Sequence, residues 1–389
     1  MSKRAAIVVL DGVGIGAAPD ADAYGDVGSD TLGHVIAANA PAALPNLAAA
    51  GLGNIKPLIG LDAVASPQGA YGMLSPASAG KDSTTGHWEI AGVSLARPFP
   101  TYPDGFPRAV IDEFAALTGR PVIGNVVGSG TDVMARFGEE QLRTGAWIVY
   151  TSADSVFQIA AHEGVIPLDE LYRACEIARR MLVAPNDVSR VIARPYVGEP
   201  GAFQRTANRR DFSIQPTGET LLDALESAGI PRVGVGKVDD LFAGRGISSR
   251  HTGSNSQGIG LIQAWLSGAP GGLLFANLVD FDQLYGHRND VPGFYAALRE
   301  FDAALPSLRG ALREDDLLFI TADHGNDPTT SSTDHARENV PLLALGGRVR
   351  AGASIGARPT FADLGATVAE WLGIDFRGVG TSFLSAIVR

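Results

Sequence analysis

Cysteine is almost absent from this chain: its 389 residues include one, Cys175. A single thiol rules out an intramolecular disulfide and is compatible with a reducing compartment. Its surroundings, LYRACEIARR, read as helix and make Cys175 a small buried apolar residue rather than a reactive thiol. Long apolar runs are missing as well. No stretch of eighteen apolar residues occurs, so no membrane span is expected. The first apolar run, AAIVVL, reaches Asp11 after six residues, too short for a signal-peptide core, and the expectation is a cytoplasmic protein. Positive charge is also scarce. Lys and Arg total 31 against 42 Asp and Glu, a net charge of −11 with a pI near 5.1. That is the wrong sign for wrapping a nucleic-acid backbone or an anionic membrane, although a few arginines or metal ions can still bind a phosphate locally. The chain has no internal repeat and no charge block, and its 48 glycines are dispersed without a collagen-like period.

What is present is an ordinary globular balance, 45% hydrophobic and 19% charged, on a chain too long for one ordinary core. Apolar runs of strand length alternate with amphipathic segments. AAIVVL (5–10), RVGVG (232–236), GGLLFANLVDF (271–281), DLLFITAD (316–323) and VPLLALGG (340–347) read as strands. LPNLAAAG (44–51), TLLDALESAG (220–229), IGLIQAWLSG (259–268) and FADLGATVAEWLG (361–373) read as helices. The alternation predicts an α/β fold with a mostly parallel sheet flanked by helices. Proline-rich joints at 99–107 and 213–219 bracket a segment with helices over 109–117 and 168–182 and strands over 145–153 and 189–194. The expected organisation is a core of 1–99 and 218–389 with a smaller α/β domain, 100–217, inserted into it.

Three of the outer strands run into aspartates: Asp11, Asp282 and Asp323. In open parallel sheets ligands sit beyond the carboxyl ends of the strands. One such aspartate ordinarily starts a turn or caps a helix. Here three of the chain's seven histidines accompany them: His287 five residues past Asp282, His324 next to Asp323, and His335 before the strand at 340. Mixed Asp and His donors in this number suit two divalent cations of the zinc or manganese type. Asp280 precedes Asp282 on the same strand and would point the same way. The glycine-rich DGVGIG (11–16) lacks the G-x-G-x-x-G spacing, and Pro19 blocks the helix a dinucleotide turn must open into. Its glycines are expected to let the backbone approach the metal-bound group.

KDSTTGHWEI (81–90) fits neither strand nor helix periodicity and is expected to be an irregular, surface-reachable segment. Its hydroxyl run supplies a nucleophile for phosphoryl transfer between two metals.

Taken together, GKDSTTGHWE, DFDQLYGHR, TADHGND and DHARENVPLL resemble the phosphopentomutase family of prokaryotic type, within the alkaline phosphatase superfamily. LDGVGIGAAPDADAYGDVGSDTLGH and RPYVGEPGAFQRTANRRDF fit the same family, so the resemblance spans residues 7 to about 343. It implies an alkaline-phosphatase-like core whose inserted domain covers the active site. It implies an isomerase that interconverts ribose 1-phosphate and ribose 5-phosphate, and the 2-deoxy pair, in nucleoside salvage and catabolism. By the family pattern Thr85 carries phosphate. One metal is held by Asp11, Thr85, Asp323 and His324, and the other by Asp282, His287 and His335. The family spacing to His287 selects Asp282 over Asp280. The cations are expected to be manganese, and glucose 1,6-bisphosphate primes Thr85. By similarity Ser152, Asp154, Arg194, Arg205, Arg209 and Lys237 grip the sugar phosphate, arginine forks suiting that task. Asp154 has an alternative role, capping a helix over SVFQIAA. His87, Trp88 and Glu89 are expected to support Thr85, and His34 to be structural. The family often has threonine where this chain has Ser83. Partners are expected to be small sugar phosphates, on a monomer. The nearest alternative is a metal-dependent phosphatase or phosphodiesterase of the same superfamily. TTGHWE argues against the cofactor-independent phosphoglycerate mutases, which use a serine nucleophile.

Overall fold

A computed structural model describes residues 2–152 and 154–389. Ala153, the last residue of the strand expected over 145–153, lies outside the described residues. The chain forms two compact units, Met1–Pro98 with Pro216–Arg389, and Phe99–Gln215. Among the described residues fourteen strands occur in chain order. They are β1 (Arg4–Leu10), β2 (Ala70–Leu74), β3 (Val122–Val127), β4 (Trp147–Thr151), β5 (Val156–His162), β6 (Arg190–Val197) and β7 (Gln204–Arg205). β8 (Arg210–Ser213), β9 (Arg232–Val235), β10 (Ser249–Arg250), β11 (Gly272–Leu278), β12 (Asp316–Thr321), β13 (Val340–Leu345) and β14 (Ser354–Arg358) complete the set.

The larger unit is built on an eight-stranded sheet in the order β10-β9-β11-β1-β12-β13-β2-β14. β1 lies between β11 and β12, parallel to both, with Leu10 opposite Leu278 and Val9 opposite Thr321. All three strands are buried along their whole length, which is why they read as continuous apolar runs rather than alternating ones. β13 runs antiparallel to β12 and to β2. Its first residue therefore lies at the carboxyl edge of β12, and the segment leading into it, with His335, arrives at the edge where Asp11, Asp282 and Asp323 leave. The helix Asn255–Gly268 packs on β11, and the helix Ala362–Leu372 packs on β1. No helix among the described residues is long and apolar enough to cross a membrane.

The smaller unit holds a second sheet, β3-β4-β5-β6-β7, with β8 also paired to β6. One apolar cluster joins Val110 and Phe114 of the helix Arg108–Thr118 to Leu171, Ala174 and Cys175 of the helix Leu168–Met181. A second joins Val133 and Met134 of the helix Gly130–Thr144 to Ile148, Tyr150, Ala160 and Tyr196. Cys175 is fully buried, and burial pushes its thiol well above the usual range.

Two expectations are corrected. Residues 83–90 are not irregular: they form the helix Ser83–Ile90, and every residue from Thr84 on is buried. A helix enclosed on all sides has no polar face, so no apolar stripe recurs at helical spacing. SVFQIAA is strand β5, not a helix, so Asp154 caps none.

Candidate metal centre and its nucleophile

The carboxyl edges of β1, β11 and β12 deliver their acids to one place. Asp11 follows β1 directly, and its Oδ2 accepts a hydrogen bond from the Asn277 side chain at 2.8 Å. Asp323 follows β12, and its Oδ1 accepts the backbone N–H of Gly12 at 3.1 Å. Gly12 has φ +74°, and a Cβ there would lie 3.0 Å from the Asn326 Cβ. The rest of DGVGIG serves a different acid: a Cβ at Gly14 would lie 2.3 Å from the Glu338 carboxylate, which also accepts the Gly16 N–H at 3.0 Å. Asp282 lies in a single π-helical turn, Phe281–Tyr285, and accepts from the Asn326 side chain at 2.7 Å. Asp280 instead accepts the Asn255 N–H at 2.7 Å, a structural bond that occupies it elsewhere.

Two groups of donors result, each with its ligand atoms within 4.8 Å of one another: Asp11, Asp282 and His324, and Asp282, His287 and His335. Asp282 belongs to both. His324 Nε2 stands 3.3 Å from Asp11 Oδ1 and 3.5 Å from Asp323 Oδ2. His287 Nε2 is 3.2 Å from one Asp282 oxygen and His335 Nε2 is 3.4 Å from the other.

Divalent cations fit this donor set on two observations. Asp11 Oδ1 and Asp323 Oδ2 are buried oxygens with no hydrogen-bond donor, a costly condition that a cation relieves. His287 Nδ1 lies 2.7 Å from the Thr333 carbonyl and His324 Nδ1 3.0 Å from the Gly325 carbonyl. Each carbonyl can accept a hydrogen bond from Nδ1–H, an arrangement that would leave Nε2 as the ligand atom once a cation displaces its proton. The charges are strongly interdependent. Burial and the neighbouring Asp323 raise the Asp11 pKa. Burial opposes ionisation of Asp282, but His335 and His287 overcome it and hold that carboxyl well below its usual range. The bond to Asp282 lifts His287 to about 9.

The helix Ser83–Ile90 places hydroxyls beside these acids. Thr85, Asp323 and His324 line one pocket with Lys81, Asp82 and Arg337. Asp82 is the N-cap, accepting the Thr85 N–H at 3.0 Å and the Thr85 hydroxyl at 2.6 Å. Ser83, given no role by the sequence reading, has its Oγ 3.1 Å from His324 Nε2. Gly86 lets the helix approach β12: a Cβ there would lie 2.1 Å from the Asp323 carbonyl oxygen. His87 Nδ1 is 2.9 Å from the Ser83 carbonyl and 3.1 Å from Asp323 Oδ2, and the ring stacks on Phe275. Glu89 accepts the N–H groups of Ala77, Ser78 and Phe361, tying down the loop that enters the helix. His34 Nδ1 is 2.6 Å from Asp327, outside both donor groups.

A family model described as the metalloenzyme superfamily matches residues 3–376. A phosphopentomutase of Desulfitobacterium hafniense is 54% identical over 388 residues, which cover 99% of this chain and 100% of that one. The chain belongs to the phosphopentomutase family. A phosphopentomutase of Alkaliphilus metalliredigens is 50% identical over 390 residues, the full length of both. A full-length match at this identity makes the chain an enzyme of the phosphopentomutase type. The solved structure of a Leishmania mexicana phosphoglycerate mutase aligns over 100% of this chain and 98% of its own, at 12% identity and a TM-score of 0.51. That likeness shows the fold, the alkaline-phosphatase-like α/β architecture.

The remaining residues expected of a phosphopentomutase fall into three places. Arg194, Arg205 and Arg209 line one pocket of the smaller unit with Pro195 and Thr206. Arg209 is also held in a bidentate pair by Asp211 at 2.7 Å. Ser152 and Asp154 lie in the turn between β4 and β5, and Asp154 is 3.7 Å from Arg190 at the start of β6. Arg194 is four residues further along β6. Lys237 belongs to the larger unit and donates to the Gln283 side chain at 2.8 Å, next to Asp282.

Proposed function

We propose that this enzyme moves a phosphoryl group between the C1 and C5 oxygens of ribose and 2-deoxyribose through phosphorylated Thr85. The observation that supports it best is the placement of Thr85 in one pocket with Asp323 and His324, at the edge where six metal-type donors meet. Asp11, Asp323, His324 and Thr85 would hold one divalent cation and Asp282, His287 and His335 a second, with Asp282 within reach of the first as well, manganese being the expected metal. Bound there, the two cations screen phosphoryl charge and lower the pKa of a coordinated oxygen.

In the first half-reaction the bond from phosphorus to Thr85 Oγ1 breaks and a bond to the free sugar hydroxyl forms, giving a sugar bisphosphate. The second reverses these roles at the other end of the sugar, returning phosphate to Thr85, so the proton lost by the sugar is regained. Asp82 fixes the Thr85 hydroxyl and the helix that bears it. Glucose 1,6-bisphosphate supplies the first phosphate to Thr85. The smaller unit is assigned the sugar-phosphate grip through Arg194, Arg205 and Arg209, with Ser152, Asp154 and Lys237 as further contacts. Its closure keeps water from phosphorylated Thr85.

The test is ³¹P NMR of the manganese-loaded enzyme with ribose 1-phosphate. Conversion to ribose 5-phosphate without free phosphate, faster with glucose 1,6-bisphosphate, supports the reading. Accumulation of inorganic phosphate makes it a hydrolase of the same superfamily.

A further inference from the structure

The arginine pocket of the smaller unit has a buried neighbour, Tyr150. Tyr150 of β4 stands opposite Gln158 of β5. Gln158 is opposite Ile192 of β6, two residues before Arg194, so Tyr150, Gln158 and Arg194 share one face of the sheet. The Gln158 side-chain oxygen accepts from Arg194 Nε at 3.1 Å, which fixes the guanidinium on that face. Tyr150 is 1% exposed, yet its hydroxyl has no hydrogen-bond partner. Buried polar groups are nearly always paired, so a donor left over in this way points to a missing acceptor.

The location says which kind. A Cβ built at Gly130 would lie 2.9 Å from the Tyr150 hydroxyl and 3.9 Å from Arg205 Cδ. Gly130 is the first residue of the fifteen-residue helix Gly130–Thr144, whose N-cap is Ser129. The Tyr150 hydroxyl therefore lies beside the start of this helix and the stem of Arg205, with Arg194, Arg205 and Arg209 near enough to act on it, surroundings that favour an anion although Asp132 stands in the helix's first turn. Arg194 and Arg205 make no ion pair among the described residues. Burial raises the Tyr150 pKa against the pull of Arg194, Arg205 and Arg209, so the group remains a neutral donor.

We propose that Tyr150 is a phosphate-binding residue: its hydroxyl donates to the oxyanion gripped by Arg194, Arg205 and Arg209. This rests on the reading of that pocket as the sugar-phosphate site. Arg205, whose stem lies beside Gly130, is exposed, and the proposal requires the buried hydroxyl to become reachable as the arginine turns to the phosphate.

The test compares Tyr150→Phe, Gly130→Ala and Arg205→Ala in the manganese-loaded enzyme, by KM and kcat for ribose 1-phosphate and by thermal unfolding. Tyr150→Phe is expected to raise KM about tenfold, the effect of one hydrogen bond to a charged group. Its melting temperature should stay level or rise, because the variant removes an unpaired buried hydroxyl. Gly130→Ala should raise KM similarly, because its Cβ would crowd the Tyr150 hydroxyl at 2.9 Å and displace it. An unchanged KM in Tyr150→Phe, with or without a lower melting temperature, overturns the proposal if Arg205→Ala still raises KM. An unchanged KM in all three overturns the pocket's assignment itself.

Discussion

The Thr85 hydroxyl donates to the Asp82 carboxylate at 2.6 Å. The other oxygen of the same carboxylate takes the Thr85 N–H, so one acid both starts the helix and aims the proposed nucleophile. Asp82→Ala should cost about 1 kcal/mol of stability through the lost cap. It should also slow turnover by on the order of 10²-fold through misplacement of Thr85. Asp82→Asn keeps an acceptor for the N–H and should melt near wild type while remaining slow. Thermal unfolding and initial rates on both variants separate capping from aiming.

Gly86 allows the nucleophile's helix to touch the end of β12. Since its missing Cβ would fall 2.1 Å from a backbone oxygen of Asp323, Gly86→Ala must push Thr85 and Asp323 apart. The expected cost is about 1–3 kcal/mol, as for other overpacked sites, together with most of the activity. Gly260, exposed within the helix Asn255–Gly268 with open space at its Cβ, provides the comparison. Gly260→Ala should be neutral or stabilising by up to about 1 kcal/mol, with activity intact.

Asp282 belongs to both donor groups, whereas His287 belongs to one. Elemental analysis of manganese-loaded protein should therefore find two ions in the wild type and one in His287→Ala. Asp282→Ala should hold fewer than His287→Ala, or hold both ions more weakly. Chelation should lower the melting temperature, because ions that bind the folded state are lost and the buried Asp11 Oδ1 and Asp323 Oδ2 are left without a partner, and added manganese should restore it. Two firmly held ions in Asp282→Ala would contradict the shared role.

Glu338, which lines the same pocket as Thr85 and His324 but belongs to neither donor group, gives a further pH dependence. It accepts the N–H groups of Gly16 and Thr31 at 3.0 Å and the Thr31 hydroxyl at 2.7 Å, yet burial lifts its pKa from 4.5 to about 7. A raised carboxyl pKa means the folded state keeps its proton where the unfolded chain has released it. The contribution is fully present below pH 4.5 and is lost as pH rises through about 7, with a slope of at most about 1.4 kcal/mol per unit. Glu338→Gln has no such slope. Its stability deficit relative to wild type should shrink between pH 5 and pH 8, as followed by denaturant unfolding at each pH.

Much of the core was legible because its signals are local. β1, β11 and β12 are buried on both faces, and their apolar runs could be read directly. The aspartates and histidines at their ends drew attention because polar residues close otherwise apolar strands. Other elements escaped for physical reasons. The helix Ser83–Ile90 has no polar face to give it a period. β5, nearly all buried, resembles a helical run until its pairing with β4 and β6 is known. The helix Gly130–Thr144 went unread, and with it the relation of Gly130 to Tyr150.

The sequence alone determined the chemical inventory: which acids and imidazoles end strands, which hydroxyls adjoin a glycine, and the absence of disulfides or long apolar spans. Donor chemistry and short-range pattern are properties of residues and their immediate neighbours. Only the tertiary structure decided that Asp282 joins both donor groups, that Asp280 is tied to Asn255, and that Ser83 reaches His324. It also separated Asp154 from Arg194 and set a buried tyrosine beside the arginines. Those relations depend on strand order, on one antiparallel strand and on the register of paired segments, which bring together residues as distant in sequence as Gly16 and Glu338, 322 positions apart.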